Sequence, residues 1–188
     1  VTVVALNTML AAAAGGLSSA ITIWLKAGKP DLSMVGNGVL AGLVAITAPC
    51  GTVSPLGAVI IGAIGGILVV FAVFGLVRLK IDDPVGAVSV HGVVGIWGTL
   101  SVGLFAKYDD AFLGREDAGL FYGGGIDQLL MQLVLVLIIA AWVATATTIG
   151  LLAIKYTIGF RVSREEEIEG LDVLEHGIAG YPADVNYA

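Results

Sequence analysis

Charged residues are scarce in this sequence, and the charge that it has is mostly acidic. Lys and Arg contribute 9 residues and Asp and Glu 15, so 13% of the 188 residues are charged. A soluble domain carries about a quarter, which argues against a soluble enzyme. The net charge of −6 argues against a nucleic-acid binder. Cys50 is the only cysteine, which excludes an intrachain disulfide and a metal site built from several cysteines.

Long apolar runs are abundant, and 57% of the residues are hydrophobic. A transmembrane helix needs about 20 mostly apolar residues. Five segments are predicted to span the membrane, and none contains Lys, Arg, Asp or Glu; they lie at about 1–25, 33–47, 55–77, 84–106 and 129–154. The second is short and ends before Pro49. The sequence therefore predicts an all-α fold, a polytopic membrane helix bundle over residues 1–155, with a cytoplasmic tail over 156–188.

The distribution of Lys and Arg among the loops predicts the orientation, because basic residues concentrate on the cytoplasmic side. With the N-terminus outside, the inner loops hold Lys26, Lys29, Arg78, Lys80, Lys155, Arg161 and Arg164, and the outer loops hold Lys107 and Arg115. Seven against two favours an outer N-terminus and a cytoplasmic C-terminus. The chain starts at Val1 inside an apolar run without a basic stretch, so we expect part of a longer protein rather than a signal peptide.

His91 is the only histidine in a predicted span. It lies eight residues into the fourth segment, about 11–12 Å along the helix and so near the middle of the bilayer, slightly towards the cytoplasm. An imidazole at that depth marks a substrate path or proton relay, or else bonds to a neighbouring helix purely for packing. Thr47 and Thr99 are candidate hydroxyl partners, although threonine more often bonds to its own helix.

The spans as a whole suggest what such a lumen would carry. A narrow apolar lumen with one neutral imidazole and no fixed acid is hostile to hydrated ions and suits a small, uncharged or transiently deprotonated species. A haem or metal centre would need further ligands, so no cofactor is expected.

The fourth segment has a clear start signal in Asp82-Asp83-Pro84. Asp83 suits the N-cap and Pro84 the first helical turn, and their position complements the positive end of the helix dipole. Capping explains the acidic pair, with a cation site as the alternative.

Glycines recur at helical spacing and predict close packing between helices. The pairs are Gly38 with Gly42 and Gly62 with Gly66, and the fourth segment has Gly92, Gly95 and Gly98. Such spacing indicates a tight bundle and does not identify a cargo.

Residues 157–188 are a different kind of sequence, with seven acidic and two basic residues and no apolar run. Ser163 suits an N-cap with Glu166 three residues later, which predicts a capping box and a short helix over about 163–168. The acidic run is either a solvated terminus or part of a working tail.

Three motifs resemble those of a known family. Asp82-Asp83-Pro84 followed by VHGVVGIWG from Val90 to Gly98 is similar to the signature of the ammonium transporter family (Amt/Mep/Rh), nearest its Amt branch. The TAPCG run from Thr47 to Gly51 resembles the break between the family's eighth and ninth helices. The tail stretch EGLD from Glu169 to Asp172, with His176-Gly177, resembles the family's C-terminal regulatory motif.

The resemblance implies both architecture and activity. The five segments would correspond to helices 7 to 11 of an eleven-helix, inverted-repeat fold that forms homotrimers with one pore per subunit. Such proteins bind ammonium at an outer vestibule, deprotonate it and conduct ammonia past a pair of pore histidines. His91 matches the second histidine, Thr47 a pore-proximal threonine and Leu40 an apolar lumen residue. Cys50 and Trp97 are interpreted as structural.

The resemblance also marks what the chain lacks or changes. The first pore histidine, the outer cation site and the aromatic gate belong to helices 1 to 6, which are missing here. Leu174 stands where plant members carry a phosphorylatable threonine, so that switch is not expected. Gly86 and Ala87 are small near the inner pore mouth, where some relatives have an acid and a bulkier residue.

The tail is the second functional element that the resemblance implies. In the family it folds under the neighbouring subunit, and in prokaryotic members a PII-type nitrogen signalling protein can plug the pore from inside. The residues assigned to this regulatory motif are Gly170, Leu171, Asp172, His176 and Gly177.

Three functions remain open at the level of sequence. The first is ammonium or ammonia transport across the plasma membrane, with methylammonium as an analogue. The second is a non-transporting sensor or assembly subunit that acts through its tail, and the third is an Rh-like gas channel. An enzyme is the least favoured, because the spans offer only one ionisable side chain at depth.

Overall fold

The computed structural model describes residues 1–107 and 118–178, and every regular element within these ranges is helical. The long helices are α1 (Thr2–Ala27), α2 (Leu32–Thr47), α3 (Pro55–Arg78), α4 (Val94–Phe105) and α5 (Asp127–Thr157). A π-helix, Val88–Val93, leads into α4, and a short 3₁₀ turn, Leu120–Tyr122, precedes α5. Two short helices follow, α6 (Arg164–Glu169) and α7 (Asp172–His176). The all-α prediction is confirmed.

Four of the helical segments are long and apolar enough to cross a membrane. They are Thr2–Ala27, Pro55–Arg78, Val88–Phe105 and Asp127–Thr157. Among the long helices, α2 is not one of these four. It has 16 residues and would extend about 24 Å, less than the roughly 30 Å of a hydrocarbon core. The second predicted span is therefore the short one, as its sequence indicated.

Local side chains determine where α2 and α3 begin. The Asp31 carboxylate accepts a hydrogen bond from the Met34 amide at 2.7 Å, and the Ser54 hydroxyl accepts one from the Gly57 amide at 3.1 Å. Pro55 follows Ser54 at the first helical position of α3, where its missing N–H costs nothing. The connection between α2 and α3 is thus limited to residues 48–54.

Helices α1, α2 and α3 pack with their backbones in contact. A methyl group added at Gly42 or Gly62 would overlap the carbonyl of Ala11, and one added at Gly66 would overlap the carbonyl of Gly15. Glycine is therefore required at these crossings, as the spacing predicted. The buried core around them is aliphatic and includes Ile46, Ile61, Val69, Val70 and Val94.

Trp97 joins α4 to this core, in line with its predicted structural role. Its indole Nε1 donates a hydrogen bond to the Ile61 carbonyl at 3.0 Å, and its ring meets Phe105 edge-to-face with centroids 6.5 Å apart. The next residue, Gly98, packs closely against α2: a Cβ added at Gly98 would lie 2.7 Å from the Ala45 carbonyl oxygen. This face of α4 is therefore held against α2 and α3.

The predicted start of the fourth span at Pro84 is wrong. Pro84 and Val85 form a turn, Gly86 has a φ of 76°, and regular helical structure starts only after it. A residue in the left-handed region interrupts a right-handed helix. His91 is consequently the fourth residue of the π-helix rather than the eighth of a straight helix, so its predicted distance along the helix is wrong as well.

The chain groups into two compact units, Val1–Ala140 and Ala141–Ala188, and α5 runs through the boundary. In the second unit the predicted capping box is confirmed. The Ser163 hydroxyl accepts from the Glu166 amide at 3.3 Å, and the Glu166 carboxylate accepts from the Ser163 amide at 2.8 Å. The hydrogen bond from the Ser163 backbone amide to this carboxylate, with a smaller contribution from the Ser163 hydroxyl, holds the pKa of Glu166 below its usual value. The predicted division at residue 155 stays a prediction.

Candidate functional site

A groove of about 330 Å³ lies between the end of α2 and the start of the fourth span. The residues that line it are Val44, Thr47, Ala48, His91, Gly95 and Thr99. None of these is an acidic residue, Lys or Arg, so the imidazole is the only ionisable side chain in the lining. The structure thus brings His91 together with Thr47 and Thr99, the two threonines that the sequence analysis named beside it.

The π-helix determines how His91 enters the groove. The Val94 amide donates to the Ser89 carbonyl, five residues back, so this turn holds one residue more than an α-helical turn. His91 and Gly95 are both on the groove side, whereas Val90 and Val94 are buried. The side chain of His91 is exposed and makes no hydrogen bond to any residue that the structure describes.

The two groove threonines do not partner the imidazole. The Thr47 hydroxyl donates to the Leu43 carbonyl at 2.8 Å, and the Thr99 hydroxyl donates to the Gly95 carbonyl at 3.0 Å. Each hydroxyl proton is therefore used within its own helix, which is the common arrangement. Both imidazole nitrogens stay available to a small molecule in the groove, one as donor and the other as acceptor.

Leu40 does not line this groove. It is 48% exposed and lies one turn before Val44 on the same face of α2, since residues four apart are neighbours on a helix surface. Its place as a lumen residue stays a prediction. Val44 and Ala48 line the groove and were missed from the sequence. Helical spacing from Leu40 or Thr47 would have found Val44, and Ala48 follows Thr47 directly in the chain.

Asp83 holds the start of the π-helix. Its carboxylate accepts hydrogen bonds from the Val88 amide at 3.0 Å, from the Ser89 amide at 3.0 Å and from the Ser89 hydroxyl at 2.8 Å. Desolvation raises the pKa of Asp83, but the hydrogen bonds from Val88, Ser89 and Ala87 together outweigh it and lower that pKa. The predicted capping function is right in kind, although the cap acts across a turn of five residues.

We expect that replacing Asp83 by Ala destabilises the protein by about 1–2 kcal/mol, as for loss of a good N-cap. The contribution is complete above the usual Asp pKa of 3.8 and is lost as the pH falls through the lowered pKa, because protonation removes the acceptor. Thermal unfolding of the full-length protein in detergent measures both effects. Asp82→Ala is the matched control, and an equal loss in that variant would contradict the capping role.

A second contact supports the same loop from α2. The Asn37 side-chain amide donates to the Val85 carbonyl at 3.2 Å, and an added Cβ at Gly86 would lie 2.6 Å from that amide nitrogen. Glycine at position 86 therefore serves both the positive φ and the close approach of Asn37. This small residue, noted in the sequence as a departure from some relatives, has a structural explanation here.

The predicted regulatory residues surround the two short tail helices. Gly170 ends α6 with a φ of 91°, Asp172 and His176 are the first and last residues of α7, and Gly177 follows with a φ of 68°. Leu171 is partly exposed, at 39%. Both glycines have a positive φ, which other residues rarely adopt. The regulatory role of the five residues stays a prediction.

Membrane-length helices, glycine-packed crossings and a largely apolar groove define a polytopic helical membrane protein. The sequence model of the Ammonium Transporter Family matches residues 1–181 of the chain. The chain belongs to this family, and the predicted resemblance is confirmed.

Relatives and solved structures agree with this assignment. The chain is 43% identical over 186 residues to the ammonium transporter Amt2 of Archaeoglobus fulgidus. The aligned region covers 97% of this chain and 39% of that protein. It is 41% identical over 180 residues to the ammonium transporter Amt1 of Haloferax mediterranei, with coverage of 95% and 32%. It is also similar to a solved structure described as a sensor Amt protein, with a TM-score of 0.81, 39% identity and coverage of 93% and 42%.

The Candida albicans Mep2 crystal structure is a further neighbour, with a TM-score of 0.76, 35% identity and coverage of 87% of this chain and 37% of that one. The chain therefore spans between 32% and 42% of the length of these four proteins. The polytopic membrane helix bundle predicted from the sequence is confirmed by these neighbours.

Proposed function

We propose that the protein containing this chain transports ammonium across a membrane and that the groove at His91 is part of its pore. The observation that carries this proposal is the imidazole without a hydrogen-bond partner among the described residues, in a groove that otherwise offers only apolar groups and back-bonded hydroxyls. A histidine placed for packing would instead bond to a neighbouring helix, because an imidazole without a partner is costly at membrane depth.

The lining favours a neutral species at this point of the pore. A hydrated cation needs several oxygen ligands or fixed negative charge to replace its water. The six described lining residues supply no charge and only two side-chain oxygens, the hydroxyls of Thr47 and Thr99. Ammonia needs only one or two hydrogen bonds, which the imidazole can supply with either nitrogen. In the proposed mechanism, ammonium binds at an outer site, loses a proton there and crosses as ammonia. This chain supplies His91, Thr47 and, farther along α2, Leu40 to that path.

The assembly and surroundings of the pore belong to the same proposal. We infer a homotrimer in the plasma membrane, with the N-terminus of this chain outside and its C-terminus in the cytoplasm. Helices 1 to 6 of the same protein would complete each pore with the first histidine and the outer site. The tail around α6 and α7 would act as a regulatory element, with a PII-type nitrogen signalling protein as its cytoplasmic partner.

A sensor is the second candidate function, because one similar structure is described as a sensor Amt protein. In that case the bundle would anchor a signalling tail, and substitutions in the groove would leave the output unchanged. The Rh-like gas channel, which shares the fold, has no observation of its own in its favour.

Reconstitution of the full-length protein in liposomes decides between transport and sensing. We expect saturable methylammonium uptake that ammonium inhibits, and we expect uptake to persist when the tail after Gly159 is removed. Liposomes without protein are the control for passive entry of methylamine. Absence of uptake, together with a cellular ammonium response that depends on the tail, would replace the transporter by the sensor.

A further inference from the structure

Asn7 is a fully buried amide on α1 that contacts the connection between α2 and α3. Its exposed fraction is 0%. The side-chain nitrogen donates two hydrogen bonds, to the Cys50 carbonyl at 2.8 Å and to the Val53 carbonyl at 2.9 Å. One side chain thus binds two backbone oxygens that are three residues apart in the connection.

The two acceptors establish which end of the amide faces the connection. Carbonyl oxygens accept hydrogen bonds and cannot donate them, so only the NH₂ group of Asn7 fits between Cys50 and Val53. The side-chain oxygen Oδ1 is buried and has no hydrogen-bond partner among the residues that the structure describes. The donor end is therefore the part of the residue that the fold uses.

The connection leads directly into the groove. Thr47 and Ala48 line the groove, and Pro49 and Cys50 follow them without a break. The Cys50 amide donates to the Ile46 carbonyl at 2.9 Å, and the Cys50 thiol donates to the Thr47 carbonyl at 3.6 Å. Cys50 is therefore linked to Thr47 by its thiol and to Ile46 by its amide, as well as through the chain.

We propose that Asn7 is a positioning residue: by holding the carbonyls of Cys50 and Val53, it holds the groove wall that Thr47 and Ala48 form opposite His91. Asn7 does not line the groove itself. Only the transport consequence of this inference rests on the proposed function, whereas the structural consequence does not.

The competing explanation is that Asn7 merely joins α1 to the bundle. Ser18 provides the matched control, because its hydroxyl donates to the Ala63 carbonyl at 2.8 Å and so also links α1 to a backbone oxygen. Ser18 lies 11 residues farther along α1, about 16 Å away, and its bond goes to α3 rather than to the connection. A general role in packing predicts similar effects for both residues.

Cys50 is a natural reporter of the connection, because it is half-buried and is the only cysteine of this chain. In the full-length protein, with any other cysteines replaced by serine, the rate of reaction with N-ethylmaleimide reports how often the connection opens. We expect Asn7→Ala to raise this rate about tenfold, since two buried hydrogen bonds are lost. Ser18→Ala is expected to leave the rate within about twofold of the parent. Equal rates in the two variants would overturn the proposal.

Asn7→Ser keeps one donor on a shorter side chain and carries the test if Asn7→Ala does not assemble. The expected labelling rate lies between those of the parent and the alanine variant. A serine variant that assembles and reacts at the parental rate would also overturn the proposal.

Uptake supplies the second readout: Asn7→Ser should change the ratio of methylammonium to ammonium transport, while Ser18→Ala should change only the yield. If the parent protein shows no uptake, the proposed function fails and the labelling rates still decide the role of Asn7.

Discussion

Replacing His91 by Ala in the full-length protein is expected to lower the rate of methylammonium uptake about tenfold. Among the described lining residues, the substitution removes the only side chain with a free donor and a free acceptor. One lost hydrogen bond to a substrate is worth about 0.5–1.5 kcal/mol, and the upper end of this range corresponds to about a factor of ten. Uptake by reconstituted protein, normalised to the amount of protein in the liposome, is the measurement.

His91→Gln is the matched variant, because glutamine keeps a donor and an acceptor but does not titrate near neutral pH. If His91 acts only through hydrogen bonds, His91→Gln should recover much of the uptake that His91→Ala loses. If proton exchange also matters, the glutamine variant should remain impaired. Parental uptake and parental discrimination between ammonium and methylammonium in His91→Ala would remove His91 from the substrate path.

The second large effect is expected at Gly62, where the packing of α1 against α3 leaves no room for a side chain. A Cβ at this position would overlap the carbonyl of Ala11. Overpacking a core typically costs about 1–3 kcal/mol, and we expect the upper end of that range for Gly62→Ala because the obstacle is backbone. The expected result is a marked loss of assembled protein and a lower unfolding temperature in detergent.

Gly75→Ala is the control for Gly62→Ala, since both glycines are on α3. Apart from the neighbouring backbone of α3 itself, no atom of the described residues lies within 4 Å of a Cβ built at Gly75. The substitution should therefore gain helix propensity, about 1 kcal/mol relative to glycine. The two variants therefore differ in sign as well as in size. A Gly62→Ala protein as stable as Gly75→Ala would show that the α1–α3 contact is looser than described here.

Most of the fold followed from simple apolar patterning. The predicted span at 55–77 became Pro55–Arg78, and the one at 129–154 became Asp127–Thr157. Helical ends beyond a charged residue are difficult to predict, because the chain can continue a helix into the polar region at little cost. The capping box at Ser163 was predictable because both of its partners lie within four residues of sequence.

The fourth span shows why the remaining features could not be predicted. The apolar run from Pro84 suggested an immediate helix, yet the φ of 76° at Gly86 and the contact with Asn37 delay it. Neither depends on hydrophobicity. Asn7 was missed for a related reason, because its partners lie 43 and 46 residues away and are backbone carbonyls, which carry no sequence signal.

The candidate site was predictable in part, and by two different routes. Hydropathy alone singled out His91 as an ionisable residue within an apolar run, with Thr47 and Thr99 as candidate partners, whereas the assignment of His91 and Thr47 to a pore came from the family resemblance. The absence of a bond between His91 and the groove threonines required coordinates, since a threonine hydroxyl has partners in its own helix and across the groove with similar geometry.

The extra residue in the π-helix Val88–Val93 sets the angle about the helix axis at which the His91 side chain leaves the helix. If the Val94 amide were bonded four residues back rather than to the Ser89 carbonyl, this turn would be α-helical and one residue shorter. Everything before Val94 would then rotate by about 100° about the helix axis, while Trp97 and Gly98 kept their contacts with α3 and α2. Deleting Gly92 or Val93, the two residues between His91 and Val94, would therefore turn the imidazole out of the groove without changing its chemistry.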